Sequence, residues 1–421
     1  MRGPTYGSRM VARSACHTRP PVDLWLMTTT RRTILSLAGA APLALAIGDP
    51  AAADPGYAKV PDGLKPGGEL DKFVAELAAK DEFSGSLLLT HRGRPVLSRS
   101  FGMANKALGI PNGPDTIFAL ASVTKVLTAL SVVQLVERGK LSFGAKLGTL
   151  LDGFAPEIGE AVTVHHLLTH TSGLGDFHMV PGFWETARIW TSAQQVMDGI
   201  TQIIRGMPVA FPAGASHAYS NAGFHLLGAI VAKVSGLSYY DYVRQNVFRP
   251  AGMSSSDFYT KPQWLTDPRI AHPYTRPKSG ERIDDIDSRY FIGTPAGEAF
   301  CTCADLDRFT QALLRGKLIG PPFLQLYAGG KVPMPPMQPP GSAPLPPPPG
   351  PPPVTLQCYG PIGRAAGGQW TLGHGGGSPG ICTSLEVFPD SRWSVVVFSN
   401  YDPPVTQPIE AMARQLIIGQ R

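Results

Sequence analysis

The stretch Phe118–Leu130, FALASVTKVLTAL, constrains this chain more than any other. Beyond Lys125 it continues as an apolar helix to the stop signal Arg138-Gly139-Lys140. A helix that is apolar on every side is buried, so the fold must surround it. Yet its first turn carries a cation, three residues after the hydroxyl of Ser122. A buried cation needs a chemical reason.

The flanking sequence supplies the material to bury such a helix. Residues 69–80, ELDKFVAELAAK, put Leu70, Phe73, Val74 and Leu77 on one helical face. SGSLLLTHRGRPVLSRSFGMAN then reads as a hairpin turning at His91–Arg94. A helical pattern dominates residues 126–275 and includes the amphipathic run NAGFHLLGAIVAKVSG. Strand-like runs return near the end: VTLQCYG, QWTLGHGG, ICTSLEVFP and RWSVVVFSN. QPIEAMARQLIIG closes the chain as a helix. The expectation is an α+β fold: an antiparallel sheet flanked by terminal helices, with an all-helical part inserted. Residues 332–353, VPMPPMQPPGSAPLPPPPGPPP, read as a proline-rich surface insert unable to build a core.

The net charge is +6, and residues 1–53 hold six arginines against two aspartates. The remainder is nearly balanced and has no basic run, which argues against a nucleic-acid partner. Residues 1–53 read as a leader: Arg31-Arg32, an apolar run from Ile34 to Ile47, then Ala51-Ala52-Ala53 as a cleavage site. The arginine pair followed by Thr-Ile-Leu resembles a twin-arginine export signal, so the protein is expected outside the cytoplasm, periplasmic or secreted. Met27 is an alternative start. The apolar run is too short to span a bilayer comfortably, so no membrane span is expected after cleavage. Residues 54–421 then form the functional domain. Its four cysteines, Cys301, Cys303, Cys358 and Cys382, leave three disulfide connectivities open.

Residues three apart share a helix face, so Ser122 and Lys125 can meet. A lysine among Val123, Val126 and Leu127 loses solvation, and its pKa falls. A neutral lysine can deprotonate a serine hydroxyl, and the N–H of Ser122, at a helix N-terminus, can hold an oxyanion. Two further stretches fit the same chemistry. Tyr219-Ser220-Asn221 precedes a helix, and there a phenol can move a proton and an amide can orient an acyl chain. His374-Gly375-Gly376-Gly377 lies at a strand end, where substrate can lie against glycines and a free N–H can complete an oxyanion hole. Taken singly, each could be packing, a helix cap or a glycine turn.

In this order the three motifs resemble the serine β-lactamase and penicillin-binding superfamily, in particular its class C β-lactamase-like branch of D,D-carboxypeptidases and family VIII esterases. TVHHLLTHTSGL, NVFRPAGM and PAGEAFCTCADLDRF resemble that branch too, and the likeness runs from about residue 69 to 418. The resemblance implies that fold and an acyl-enzyme chemistry without cofactor or metal. It makes Ser122 the nucleophile, Lys125 its base partner, Tyr219 the general acid/base and Asn221 the substrate-amide contact. Gly377 would share the oxyanion hole with Ser122. His374 stands where the family's K-T-G motif has lysine, and Gly375 replaces its threonine. Both departures weaken the case for efficient β-lactam hydrolysis. An exported D,D-carboxypeptidase or esterase is expected, acting on a small-molecule or peptidoglycan-derived substrate. A β-lactamase, or a penicillin-binding sensor that acylates without turnover, is the alternative, and the oligomeric state is left open.

Two other patterns carry less. Gly376–Gly380 spells G-x-S-x-G, but Pro379 and a strand follow Ser378, where a nucleophile elbow needs a helix. His166 and His170 are spaced like half a zinc site, yet Leu167 stands where H-E-x-x-H has glutamate.

Overall fold

The structure is a computed structural model and describes residues 60–334 and 354–419. The leader, 1–53, and the bulk of the proline-rich insert, 335–353, lie outside the described residues.

Eight strands make one antiparallel sheet: β1 (Gly85–His91), β2 (Arg94–Phe101), β3 (Val332–Pro333), β4 (Val354–Gln357), β5 (Ile362–Ala366), β6 (Gln369–Ser378), β7 (Ile381–Phe388) and β8 (Trp393–Ser399). Their order is β2-β1-β8-β7-β6-β5-β4-β3. The expected α+β architecture is observed. The β1–β2 turn uses Arg92 and Gly93 at φ 56° and 74°, the left-handed pair a tight hairpin requires. The first residues of the proline-rich insert do more than expected: Val332 and Pro333 add an edge strand to β4. An edge is where a sheet tolerates proline, which has no N–H to donate.

The central strands β1, β7 and β8 are buried along their whole length because both faces of the sheet are covered. Leu87 and Leu89 on β1 and Val395 and Val397 on β8 face the terminal helices α1 (Glu69–Ala79) and α7 (Gln407–Ile418), against Leu70, Val74, Ile409, Ala413 and Ile417. Their neighbours Leu88, Val396 and Phe398 join the opposite core, built on α2 (Thr124–Glu137).

α2 is the buried helix the sequence demands, with twelve of its fourteen residues enclosed. The helical part packs on it: α3 (Val164–Leu168), α4 (Ala193–Arg205) and α5 (Asn221–Ser235), with α6 (Cys303–Leu314) alongside. Ser220 caps α5, its hydroxyl accepting the N–H of Gly223 at 2.8 Å, and Gly236 ends the helix at φ 74°. Gly228 of α5 has a steric reason: a Cβ there would come within 2.0 Å of Pro295 Cγ. The close approach of the Pro295 loop matters for the site.

Candidate active site

Ser122 sits in a tight turn, Ala121–Val123, that leads into α2. Ala121 adopts φ 42°, a strained value for a residue with a side chain. Its neighbours hold the turn in place. The N–H of Leu120 donates to Ala299 O at 2.7 Å, and that of Glu298 to Ala121 O at 3.2 Å. The Thr383 hydroxyl on β7 donates to Leu120 O at 2.8 Å. The nucleophile candidate is thus fixed from two sides at the N-terminus of a buried helix, where backbone N–H groups lack intrahelical partners.

Lys125 is fully buried. Its Nζ donates to Ala296 O at 2.5 Å, to Asn221 Oδ1 at 2.7 Å and to Ser122 Oγ at 3.2 Å. Desolvation lowers its pKa to about 7, opposed by the carboxylate of Asp176. A neutral amine has two N–H groups and one lone pair. Two of its three partners, an amide oxygen and a carbonyl oxygen, can only accept. They take the two N–H groups, and the lone pair is left for the Ser122 hydroxyl.

Tyr219 comes from the loop before α5, and its hydroxyl donates to Ser122 Oγ at 2.7 Å. The residue as a whole is 43% exposed. Enclosure of the hydroxyl end pushes its pKa well above that of an ordinary phenol, against the bond to Ser122. Tyr219 therefore stays protonated where Lys125 is partly neutral. Two groups at one hydroxyl have pKa values pushed in opposite directions, an arrangement suited to one base and one acid.

His374, Gly375, Gly376 and Gly377 lie on β6 beside the Ser122 turn. A Cβ on Gly376 would sit 2.3 Å from Leu120 O, so only glycine lets the strand press this closely. Gly377 follows, paired with Cys382, at the strand end nearest the turn. Gly375 has no such constraint, as its nearest neighbour would be 3.9 Å away. His374 is buried, with its ring 6.4 Å from that of Tyr219. Its Nδ1–H donates to Gly375 O at 2.6 Å, which leaves a lone pair on Nε2. Burial and the nearby Lys125 lower its pKa to about 4, so it is neutral at pH 7.

The residues the three motifs single out therefore converge. The structure adds groups that sequence reasoning missed. The Ala296 carbonyl falls within PAGEAF but carries no side-chain signal. Asp176 binds Asn221 from a loop 45 residues away. His170 brackets Tyr219: its carbonyl accepts from Ala218 N–H at 3.0 Å and its Nδ1 from Ser220 N–H at 3.0 Å. Its ring lies 4.6 Å from that of Tyr219. His166 uses its own Nδ1 to cap α3, so these two histidines serve separate backbone sites. Ser378 of the G-x-S-x-G pattern, the last residue of β6, accepts from Arg289 at 2.7 Å. Cys301, Cys303, Cys358 and Cys382 are all buried free thiols.

Fold and family together define a serine hydrolase of the penicillin-binding and esterase type. The chain belongs to the Beta-lactamase family, whose model matches residues 70–418. A penicillin-binding protein of Bacillus subtilis (strain 168) is 29% identical over 377 residues, 83% of this chain and 76% of that one. Esterase EstB of Burkholderia gladioli is 32% identical over 223 residues, 49% of this chain and 54% of that one. Among solved structures, a penicillin-binding protein from Bacillus halodurans superposes with a TM-score of 0.70 at 29% identity, covering 82% of this chain and 98% of that one.

Proposed function

We propose that this protein is an exported hydrolase that forms an acyl-enzyme on Ser122 and prefers esters or amides whose leaving group bears no carboxylate. One observation carries the preference: His374, where a lysine would attract a carboxylate, is buried, neutral and committed through Nδ1–H to Gly375 O. The relatives named above include both an esterase and penicillin-binding proteins, so both chemistries are within reach of the fold.

The lone pair of Lys125 takes the Ser122 proton as Oγ attacks the carbonyl carbon. The C=O electron pair moves onto oxygen, where the N–H groups of Ser122 and Gly377 receive it. Collapse breaks the bond to the leaving group, which takes the Tyr219 proton. Lys125, now an ammonium, reprotonates Tyr219. Water attacks the ester by the reverse proton path, releasing the acid and restoring Ser122.

Turnover of an uncharged p-nitrophenyl ester, a D-amino-acid amide, a D-Ala-D-Ala peptide and a penicillin tests the reading. Hydrolysis of the first two, with the last two unchanged, supports it. A second reading, a D,D-carboxypeptidase or penicillin-binding sensor, draws on the likeness to the Bacillus subtilis protein. A lasting penicillin adduct, absent in Ser122→Ala, would favour it. Export is tested by replacing Arg31 and Arg32 with lysine and following the protein between cell fractions; retention in the cytoplasm is expected.

A further inference from the structure

Asn221 is held between two groups that leave its amide one orientation. Its Oδ1 accepts from Lys125 Nζ at 2.7 Å, and its Nδ2 donates to Asp176 Oδ2 at 2.9 Å. A carboxylate only accepts, and the lysine hydrogens facing Asn221 only donate. A flipped amide would set oxygen against carboxylate and N–H against N–H. The second carboxylate oxygen, Oδ1, accepts the backbone N–H of His178 at 3.0 Å and lies 2.7 Å from His178 Nδ1. The His178 ring is in turn stacked on Trp184, with centroids 5.4 Å apart. Asp176 is therefore anchored on its own side and committed to Asn221 on the other.

We infer that Asp176 is a positioning residue: it locks the Asn221 amide so that Oδ1 holds Lys125 in register with Ser122 while the second Nδ2–H stays available to a substrate carbonyl. This rests on the reading of Ser122 and Lys125 as nucleophile and base. It also gives Asn221 a defined polarity toward substrate, since its oxygen is already taken. Asn221 can offer only a donor, so it selects an acyl chain that presents an acceptor.

Asp176 has an electrostatic effect as well. The titratable groups that face Lys125 are Tyr219, whose ring centre is 4.7 Å from Nζ, His170, His374 and Asp176. The phenol and the two imidazoles are neutral near pH 7, because burial opposes their charged forms. Asp176, its pKa held down by His178 and Asn221 against burial, is the anion of the set. It opposes the loss of the lysine proton and so helps set where Lys125 becomes a base.

The test is the pH profile of kcat/KM on a p-nitrophenyl ester for wild type, Asp176→Asn, Asp176→Ala and Ser122→Ala. Asparagine removes the charge and keeps one acceptor oxygen, which can serve Asn221 or the turn at 177–179 but not both. Its acid limb is expected to move down by about one pH unit, with a smaller fall in the plateau than alanine causes. Alanine removes the acceptor, and the plateau is expected to fall about tenfold or more, mainly in kcat. If asparagine leaves the limb in place and alanine loses rate only in proportion to its folded fraction, Asp176 is merely structural and the inference is overturned. If Asp176→Ala does not fold, the limb of Asp176→Asn decides alone. Wild-type turnover by Ser122→Ala would instead overturn the underlying nucleophile reading. An inactive Ser122→Ala with an unmoved Asp176→Asn limb overturns only the role of Asp176.

Discussion

Lys125 and Tyr219 approach the same oxygen with opposite protonation tendencies: both bond Ser122 Oγ, at 3.2 Å and 2.7 Å. Burial favours the neutral form of each, which makes the amine a stronger candidate base and keeps the phenol an acid. One physical cause thus prepares both partners of a proton exchange.

A pH-dependent rate follows. The attacking form needs Lys125 neutral, and its pKa is lowered to about 7. On a neutral ester, log kcat/KM should rise with unit slope below about pH 7 and level off above it. A stopped assay from pH 5 to 9 checks this. A profile flat through pH 7 would exclude Lys125 as the base.

The same burial has a signature in stability. Between the folded value of about 7 and the ordinary lysine value of 10.5, the unfolded chain binds more protons at this site. Unfolding free energy therefore gains up to about 1.4 kcal/mol per pH unit as pH rises through that window, from this residue alone. Below it the cost of burying Lys125 is fully present. Lys125→Met lacks the term, so the stability difference between wild type and variant should shift in favour of wild type from pH 7.5 to 9.5. Urea unfolding of both proteins at several pH values measures it.

Gly228 lies about two turns along α5 from Asn221, and it lets Pro295 pack against the helix, which brings Ala296 O to Lys125. Gly228→Ala should force this loop outward, costing about 1–3 kcal/mol of stability by overpacking. It should also lower kcat about tenfold or more as Lys125 loses a partner. Thermal unfolding and steady-state kinetics on the same preparation separate the two effects. Unchanged kcat in a destabilised variant would detach the Ala296 contact from catalysis.

His374→Lys probes specificity. It restores a cation where the family motif carries one, beside the Tyr219 ring. The ratio of penicillin acylation to neutral-ester turnover should rise about tenfold, as a carboxylate gains a charged partner. The second cation should also move the acid limb of ester hydrolysis down, because like charges near Lys125 disfavour its protonated form. Competition between a penicillin and the ester measures the ratio directly.

Much of this site was legible because its chemistry is written in side chains at short spacing. Ser122 and Lys125 are one helical turn apart, and Tyr219 and Asn221 flank a cap. The sheet was legible where Leu, Val and Ile cluster, as in β1, β7 and β8. β5 was missed, because IGRAA offers small residues and an arginine in place of an alternating apolar pattern. Asp176 and Ala296 were missed for a different reason. Their bonds to Asn221 and Lys125 span 45 and 171 residues. Ala296 acts through its backbone, which every residue carries. Asp176 reaches Asn221 only because the fold brings its loop to α5, and a lone acidic residue after a glycine turn does not announce that.

The most direct measurement is intact mass after rapid acid quenching of the protein with a slow p-nitrophenyl ester, followed by peptide mapping. Acylation through Ser122 predicts a mass gain equal to the acyl group, located on the peptide containing Ser122 and absent in Ser122→Ala. Ester turnover that survives in Ser122→Ala, with no adduct on wild type, would contradict it.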